Sequence, residues 1–353
     1  MNLSVMIKPA SNSCNLRCTY CFYHSLSGMR ESAFRGMMSY ELIDDIIDKA
    51  LAYVGDDRLY MSFQGGEPLL RGKEFFIRVG EKLSNRPNTH LVIQTNGTLI
   101  DSEWCTIFKK YKYLIGVSLD GDRENNSCRV DTKGELSFDD VMIGIMNLKT
   151  HNVPFNVLTV LSKNVVLNIE KIYDFYKTEG YRFLQFIPCL KPLNGEAYDA
   201  NSYPTEDEYC RFLIRLFNRY LRDIIKGEYV SIRQFDNFVR LAQGNSAEQC
   251  GMNGVCSQQF VIEGDGSVYP CDFYCLDEYC LGNIKDENFL SLSKKQIAKD
   301  FINESLVIQE KCKKCDFYKL CKGGCKRESI DVEKCSAYKK FFAYALPHLR
   351  RIR

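Results

Sequence analysis

Six short apolar runs, alternating with longer stretches of helical spacing, constrain this chain more than any motif does. Residues 4–8, 59–63, 91–95, 114–119, 155–161 and 183–187 read as buried strands. Residues 40–53, 73–83, 102–111, 138–150 and 166–178 repeat apolar side chains at helical intervals. Ser39 and Asp101 precede two of these stretches as helix N-caps. Alternation of this kind gives a parallel sheet covered by helices. Six units are too few for a closed eight-unit barrel, so the expected fold is α/β, an open partial (β/α)6 barrel.

The polar residues cluster where such a barrel carries chemistry, at the C-terminal ends of its strands. Gln64-Gly65-Gly66-Glu67-Pro68 follows the second run, Gln94-Thr95-Asn96-Gly97-Thr98 closes the third, and Ser118-Leu119-Asp120-Gly121 closes the fourth. Pro192, Asn194, Gly195 and Pro204 then mark a loop, followed by helices over 206–226 and 234–242. Beyond Cys250 the elements are short, with a hairpin over 259–269 turning at Glu263-Gly264-Asp265-Gly266.

Composition narrows the class. With 353 residues, 45% hydrophobic and 26% charged, the chain can bury a large core without disulfides. A net charge of +2 gives no electrostatic basis for binding nucleic acid. No apolar run is long enough to span a membrane, and the N-terminal one is too short for a signal peptide, so a cytoplasmic protein is expected. Its 17 cysteines, odd in number and bunched toward the two ends, then argue for metal binding rather than disulfide pairing.

After the first strand stand Cys14, Cys18 and Cys21, spaced C-x3-C-x2-C. Three thiolates on one loop can hold three irons of a cubane cluster and leave the fourth iron open, where a 4Fe-4S cluster usually takes four protein thiolates. A zinc site completed by His24 is the alternative from spacing alone. The run, with Tyr20 directly before its last cysteine, resembles the radical S-adenosylmethionine (SAM) signature, and Gly65-Gly66-Glu67-Pro68 resembles the GGEP motif of the same enzymes. The resemblance implies that Tyr20, Gly65, Gly66, Glu67, Ser118, Arg129 and Leu190 contact SAM, Glu67 offering charge to its ammonium group. Eight further cysteines make a second constellation, and Cys312-x2-Cys315-x5-Cys321-x3-Cys325 resembles a SPASM domain. By that resemblance Cys250, Cys256, Cys271 and Cys325 hold one auxiliary 4Fe-4S cluster, and Cys312, Cys315, Cys321 and Cys335 hold another. Two zinc sites are the alternative. The domains expected are a radical SAM partial barrel with its linking helix over 1–233 and a SPASM domain with a C-terminal helix over 234–353.

Over nearly its whole length the chain is similar to the anaerobic sulfatase-maturating enzymes. The likeness runs through Ile7-Lys8-Pro9-Ala10-Ser11, Cys18 to Ser27, Leu184-Gln185-Phe186-Ile187, Cys250-Gly251-Met252-Asn253-Gly254 and Cys321-Lys322-Gly323-Gly324-Cys325. Only nine residues separate Cys325 from Cys335, where family members often carry a longer insertion. The likeness implies oxidation of a Cys or Ser in a sulfatase C/S-x-P/A-x-R motif to Cα-formylglycine. Reductive cleavage of SAM gives a 5′-deoxyadenosyl radical that abstracts hydrogen from Cβ, Asp272 is the base, Gln64 and Tyr23 line the substrate cavity, and the second electron leaves through the auxiliary clusters. It also implies a ferredoxin or flavodoxin donor, and a monomer is expected. The rival within the same fold is a peptide maturase forming thioether or C–C crosslinks. Such enzymes often carry an N-terminal peptide-recognition domain, whereas the cysteine motif here begins at residue 14.

Overall fold

The computed structural model describes residues 2–193, 202–328 and 333–352. Asn194 and Gly195, expected in the connecting loop, lie outside the described residues. The elements run β1 (Leu3–Ile7), α1 (Phe22–Gly28), α2 (Tyr40–Val54), β2 (Leu59–Phe63), α3 (Lys73–Leu83), β3 (Thr89–Thr95), α4 (Ser102–Lys110), β4 (Leu114–Ser118), α5 (Phe138–Thr150), β5 (Phe155–Leu161), α6 (Lys163–Leu167), α7 (Ile169–Thr178), β6 (Phe183–Pro188) and α8 (Glu206–Lys226). Then come β7 (Ser231–Ile232), α9 (Arg233–Ala242), β8 (Phe260–Ile262), β9 (Ser267–Tyr269), β10 (Gly282–Asn283), α10 (Phe289–Ser293), α11 (Gln296–Ser305), α12 (Glu310–Lys313), α13 (Tyr318–Cys321) and α14 (Glu333–Leu349).

β1 to β6 pair in parallel in chain order, as the alternation requires, and the ladder stays open. Buried residues alternate along β1 (Leu3, Val5, Ile7) and β2 (Leu59, Met61, Phe63), so one face of each strand is sealed by the helices. Phe63, Phe75, Phe76 and Tyr113 interlock edge-to-face under that face, with ring centroids 5.3–6.4 Å apart. Ser39 caps α2 through Leu42 N and Asp101 caps α4 through Trp104 N, where the sequence placed them.

Two features differ from the sequence reading. The helix expected over 166–178 is two, because Ser162 caps α6 earlier and Asn168, with φ −104° and ψ 16°, breaks the turn before α7. Its side-chain amide satisfies Asn164 O at 3.0 Å, a local bond that competes with the helix. The hairpin β8–β9, read as part of a separate cysteine-rich unit, instead extends the barrel sheet. β8 runs parallel to β1 with Val5 opposite Phe260, and Phe260, Val261 and Ile262 are all buried there. An open barrel leaves the edge of β1 unpaired, and an apolar strand is what covers such an edge without exposing backbone. β7 pairs with β6 at the other side. The C-terminal α14 returns to the barrel, packing Phe341 on Phe217 of α8 and Phe342 on Phe238 of α9, with centroids 5.6 and 4.9 Å apart.

Candidate active site

The site sits at the C-terminal ends of β1 to β4, where backbone contacts lock two loops together. Gly66 N donates to Ser11 O (2.9 Å) and Glu67 N donates to Ser13 O (2.7 Å). A Cβ on Gly66 would lie 1.9 Å from Ser13 O, and Gly65 has φ +128° with Ser11 O 2.8 Å from its would-be Cβ. The paired glycines therefore let the loop after β2 press on the loop that carries the cysteines. Cys14, Cys18 and Cys21 lie half-buried along that loop, with Cys21 at the start of α1. Burial pushes the Cys14 thiol up to about 12 and the Cys18 thiol up to about 11, and the neighbouring thiols add to both shifts. Thiols held in this way release their protons when a metal takes them as thiolates. Among the described residues no three His, Cys, Asp or Glu side chains close on a single-ion point. The donor set itself is soft and all-sulfur, which fits an iron–sulfur cluster.

The proposed SAM contacts divide. Tyr20, Arg129 and Asp120 form one buried group. The Tyr20 hydroxyl donates to Asp120 Oδ2, Arg129 Nε donates to the same oxygen at 3.0 Å, and the Arg129 guanidinium stands 5.6 Å from the Tyr20 ring centre. Val160 N donates to Asp120 Oδ1 at 2.8 Å, which ties the group to β5. Ser118 ends β4, buried opposite Leu158. Leu190, half-buried, lines an open cavity together with Tyr20, Cys21 and Phe22. Glu67 lies deeper than these. It is fully buried, its Oε1 accepts from Leu69 N (3.0 Å) and Thr95 Oγ1 (2.8 Å), and its Oε2 accepts from Asn96 N (2.7 Å). Burial pushes its carboxyl up to about 7. Its carboxylate joins the ends of β2 and β3.

Asp272 lies just beyond the β8–β9 hairpin and is brought against the cysteine loop from the far end of the chain. Its Oδ2 accepts from Tyr23 Oη (2.6 Å) and Gln64 Nε2 (2.8 Å). Lys8 Nζ is 3.0 Å from Oδ1 as an ion-pair neighbour, yet Oδ1 has no aligned hydrogen-bond donor. Lys8 is 1% exposed and also faces Glu263 (3.5 Å), the Cys275 sulfur (3.4 Å) and the Tyr23 ring (4.5 Å to its centre). Burial alone would lower the proton affinity of Lys8, but Asp272, Cys275 and Glu263 together more than offset it and hold the ammonium charged. Arg30 completes the cluster through Glu263 at 2.8 Å.

The eight C-terminal cysteines lie around two adjoining cavities, and Cys312, Cys321 and Cys335 line both. Cys312, Cys315, Cys321 and Cys335 line the smaller cavity, so the short spacing before Cys335 leaves it beside the other three. Cys250, Cys256 and Cys325 line the larger of the two, and Cys271 lies close enough to Cys325 for their charges to interact. Gly254, at φ +74° with Lys322 2.7 Å from its would-be Cβ, lets the 250–254 turn pack on the 321–325 turn. Of the remaining cysteines, Cys275 is buried against Lys8 and Cys280 is half-buried beside Gly282.

Sequence reasoning missed Lys8, Arg30, Asn96, Asp120 and Glu263 as site residues. A lysine ending an apolar run was the available signal for Lys8, since a charge there must be either solvated or paired. Glu263 was read only as part of a turn.

The Radical SAM superfamily matches residues 9–176, and the SPASM iron–sulfur cluster-binding domain matches residues 250–316. The chain is 42% identical to a cysteine-type anaerobic sulfatase-maturating enzyme of Clostridium novyi, over 97% of this chain and 94% of the relative. It is 28% identical to a serine-type enzyme of Bacteroides thetaiotaomicron, over 98% and 90%. Among solved structures, native anSMEcpe with bound AdoMet and Cp18Cys peptide superposes with a TM-score of 0.93 at 39% identity, covering 100% of this chain and 99% of that one. Streptococcus suis SuiB, at 18% identity and a TM-score of 0.64 over 94% of this chain and 75% of that one, shares the fold.

Proposed function

From the premise that this chain belongs to the anaerobic sulfatase-maturating enzymes, we propose that Asp272 is the base of its reaction and that Tyr23 and Gln64 hold that base toward the substrate. The reaction is the oxidation of a sulfatase side chain to Cα-formylglycine, with SAM and 4Fe-4S clusters as cofactors. SAM at the N-terminal cluster supplies, on one-electron reduction, the means of removing a hydrogen atom from the target Cβ. Everything else is the work of this chain's side chains.

Cys14, Cys18 and Cys21 are the proposed ligands of that cluster. Tyr20, Gly65, Gly66, Ser118, Arg129 and Leu190 are the proposed SAM contacts, with Asp120 holding Tyr20 and Arg129 in place. The observation that carries the assignment of the base is the Asp272 carboxylate itself. Tyr23 and Gln64 fix Oδ2, and Oδ1 keeps lone pairs without an aligned donor. A positioned carboxylate of this kind accepts a proton in the transition state. For a cysteine target, Cβ loses a hydrogen atom, Sγ loses its proton to Asp272, and a second electron departs. The resulting thioaldehyde takes up water and releases hydrogen sulfide. Cys250, Cys256, Cys271 and Cys325 would hold one auxiliary cluster and Cys312, Cys315, Cys321 and Cys335 the other, and these clusters would supply an acceptor for that electron.

We place the domain division at residues 233 and 234, the electron source in a ferredoxin or flavodoxin, and the enzyme in the cytoplasm as a monomer. No helix among the described residues is long and apolar enough to cross a membrane.

The substrate we assign is cysteine in C-x-P-x-R. Two cysteine-type relatives are 42% and 43% identical to this chain, and the serine-type relative is 28% identical. Chemistry points the same way, because a thiol of pKa about 8.5 yields its proton to a carboxylate far more readily than an alcohol does. With a peptide pair differing only in Cys or Ser, the Cys form gives a kcat/KM at least tenfold higher. Equal rates, or faster turnover of Ser, reverse the assignment.

A further inference from the structure

We propose that Asn96 sets the reduction potential of the N-terminal cluster by donating a hydrogen bond to the Cys14 sulfur. The inference rests on the reading of Cys14 as a cluster ligand. Asn96 Nδ2 lies 3.7 Å from Cys14 Sγ and 2.8 Å from Asn15 Oδ1, to both of which it donates. The orientation of the amide is fixed by its other end. Asn96 Oδ1 accepts from Thr98 N (3.0 Å) and from Thr98 Oγ1 (2.8 Å). A backbone N–H can only donate, so the amide oxygen must face Thr98 and the NH2 must face Asn15 and Cys14. Asn15 is held in turn, its Nδ2 donating to Thr98 Oγ1 at 2.8 Å.

The backbone of Asn96 is anchored as firmly as its side chain. Asn96 N donates to Glu67 Oε2 at 2.7 Å, and Asn96 is only 8% exposed. This gives the buried Glu67 a purpose. It fixes the end of β3, β3 fixes Asn96, and Asn96 addresses the sulfur. Leu16 N adds a second donor to Cys14 Sγ at 3.3 Å.

A donor at a ligating sulfur stabilises the reduced cluster, which carries the extra negative charge, more than the oxidised one. The potential therefore rises, and a weaker donor suffices to reduce the cluster. Asn96→Ala and Asn96→Leu both remove the donor without adding charge. In holoenzyme reconstituted with iron and sulfide, the test is an EPR-monitored redox titration of the cluster whose signal changes on adding SAM. The expected result is a more negative potential by an amount equivalent to about a tenfold change in the one-electron equilibrium, roughly 59 mV. The auxiliary signals stay where they are. A SAM-responsive cluster at the wild-type potential in either variant with full iron content overturns the proposal. If Cys14→Ala keeps both its iron and the SAM-responsive signal, the reading of Cys14 as a ligand has failed instead.

Discussion

Lys8→Met lowers the melting temperature of the anaerobic protein by roughly 4–7 °C, the equivalent of about 3–5 kcal/mol. Lys8 is the cation of a buried cluster in which two carboxylates, Asp272 and Glu263, approach a single ammonium at 3.0 and 3.5 Å. Methionine matches its length and fills its volume, so the variant removes charge and leaves packing. Glu263 keeps Arg30 at 2.8 Å, but Asp272 keeps only the neutral donors Tyr23 and Gln64. Removing one partner of a buried ion pair destabilises more than the pair itself contributes, because it strands a charge in a poorly solvated place. Lys8 is also a seam between the two halves of the chain. Its backbone N donates to Ile262 O (2.9 Å) where β8 joins β1, and its side chain reaches Asp272 past the hairpin. A thermal melt that leaves Lys8→Met level with the wild type removes the ion cluster from the account of stability.

Asp272→Asn gives the second large effect, a fall of about 10²–10⁴-fold in formation of the oxidised peptide, the range general base catalysis contributes. The substitution is nearly isosteric, and its amide oxygen can still accept from Tyr23 and Gln64. Lys8 keeps Glu263 at 3.5 Å as its counter-charge, so the buried ammonium is not stranded while proton acceptance is lost. The diagnostic is the ratio of products. 5′-Deoxyadenosine continues to form while formylglycine falls, because the hydrogen-atom step does not use Asp272. Unchanged maturation would falsify the role assigned to this residue.

Much of the architecture was legible because it depends on local periodicity. The six parallel strands, the caps at Ser39 and Asp101, and the polar motifs at strand ends all follow from spacing within a few residues. The proposed cysteine sets rest on resemblance to a motif, which carries ligand identity with it. What escaped depends on contacts distant in sequence. Lys8 meets Glu263 and Asp272 across more than two hundred residues, and no periodicity announces such a meeting. The joining of β8 to β1 escaped for the same reason. Glu67 shows the opposite case. Its motif names the residue type but not its surroundings, and three donors inside the protein already occupy its carboxylate. Asn96 stood inside a motif singled out from the sequence, but its direction became visible only with Thr98 fixing the other end of the amide.

The central claim is that this site removes hydrogen from the Cβ of a cysteine and delivers the sulfur proton to Asp272. The most direct measurement uses a C-x-P-x-R peptide deuterated at the cysteine Cβ, incubated anaerobically with the reconstituted protein, SAM and a low-potential reductant, and read by mass spectrometry. The account predicts 5′-deoxyadenosine carrying one deuterium, and a peptide whose target residue is the aldehyde, a loss of about 18 Da for the unlabelled peptide. Deoxyadenosine without deuterium, or a peptide that keeps both its Cβ label and its mass, contradicts it.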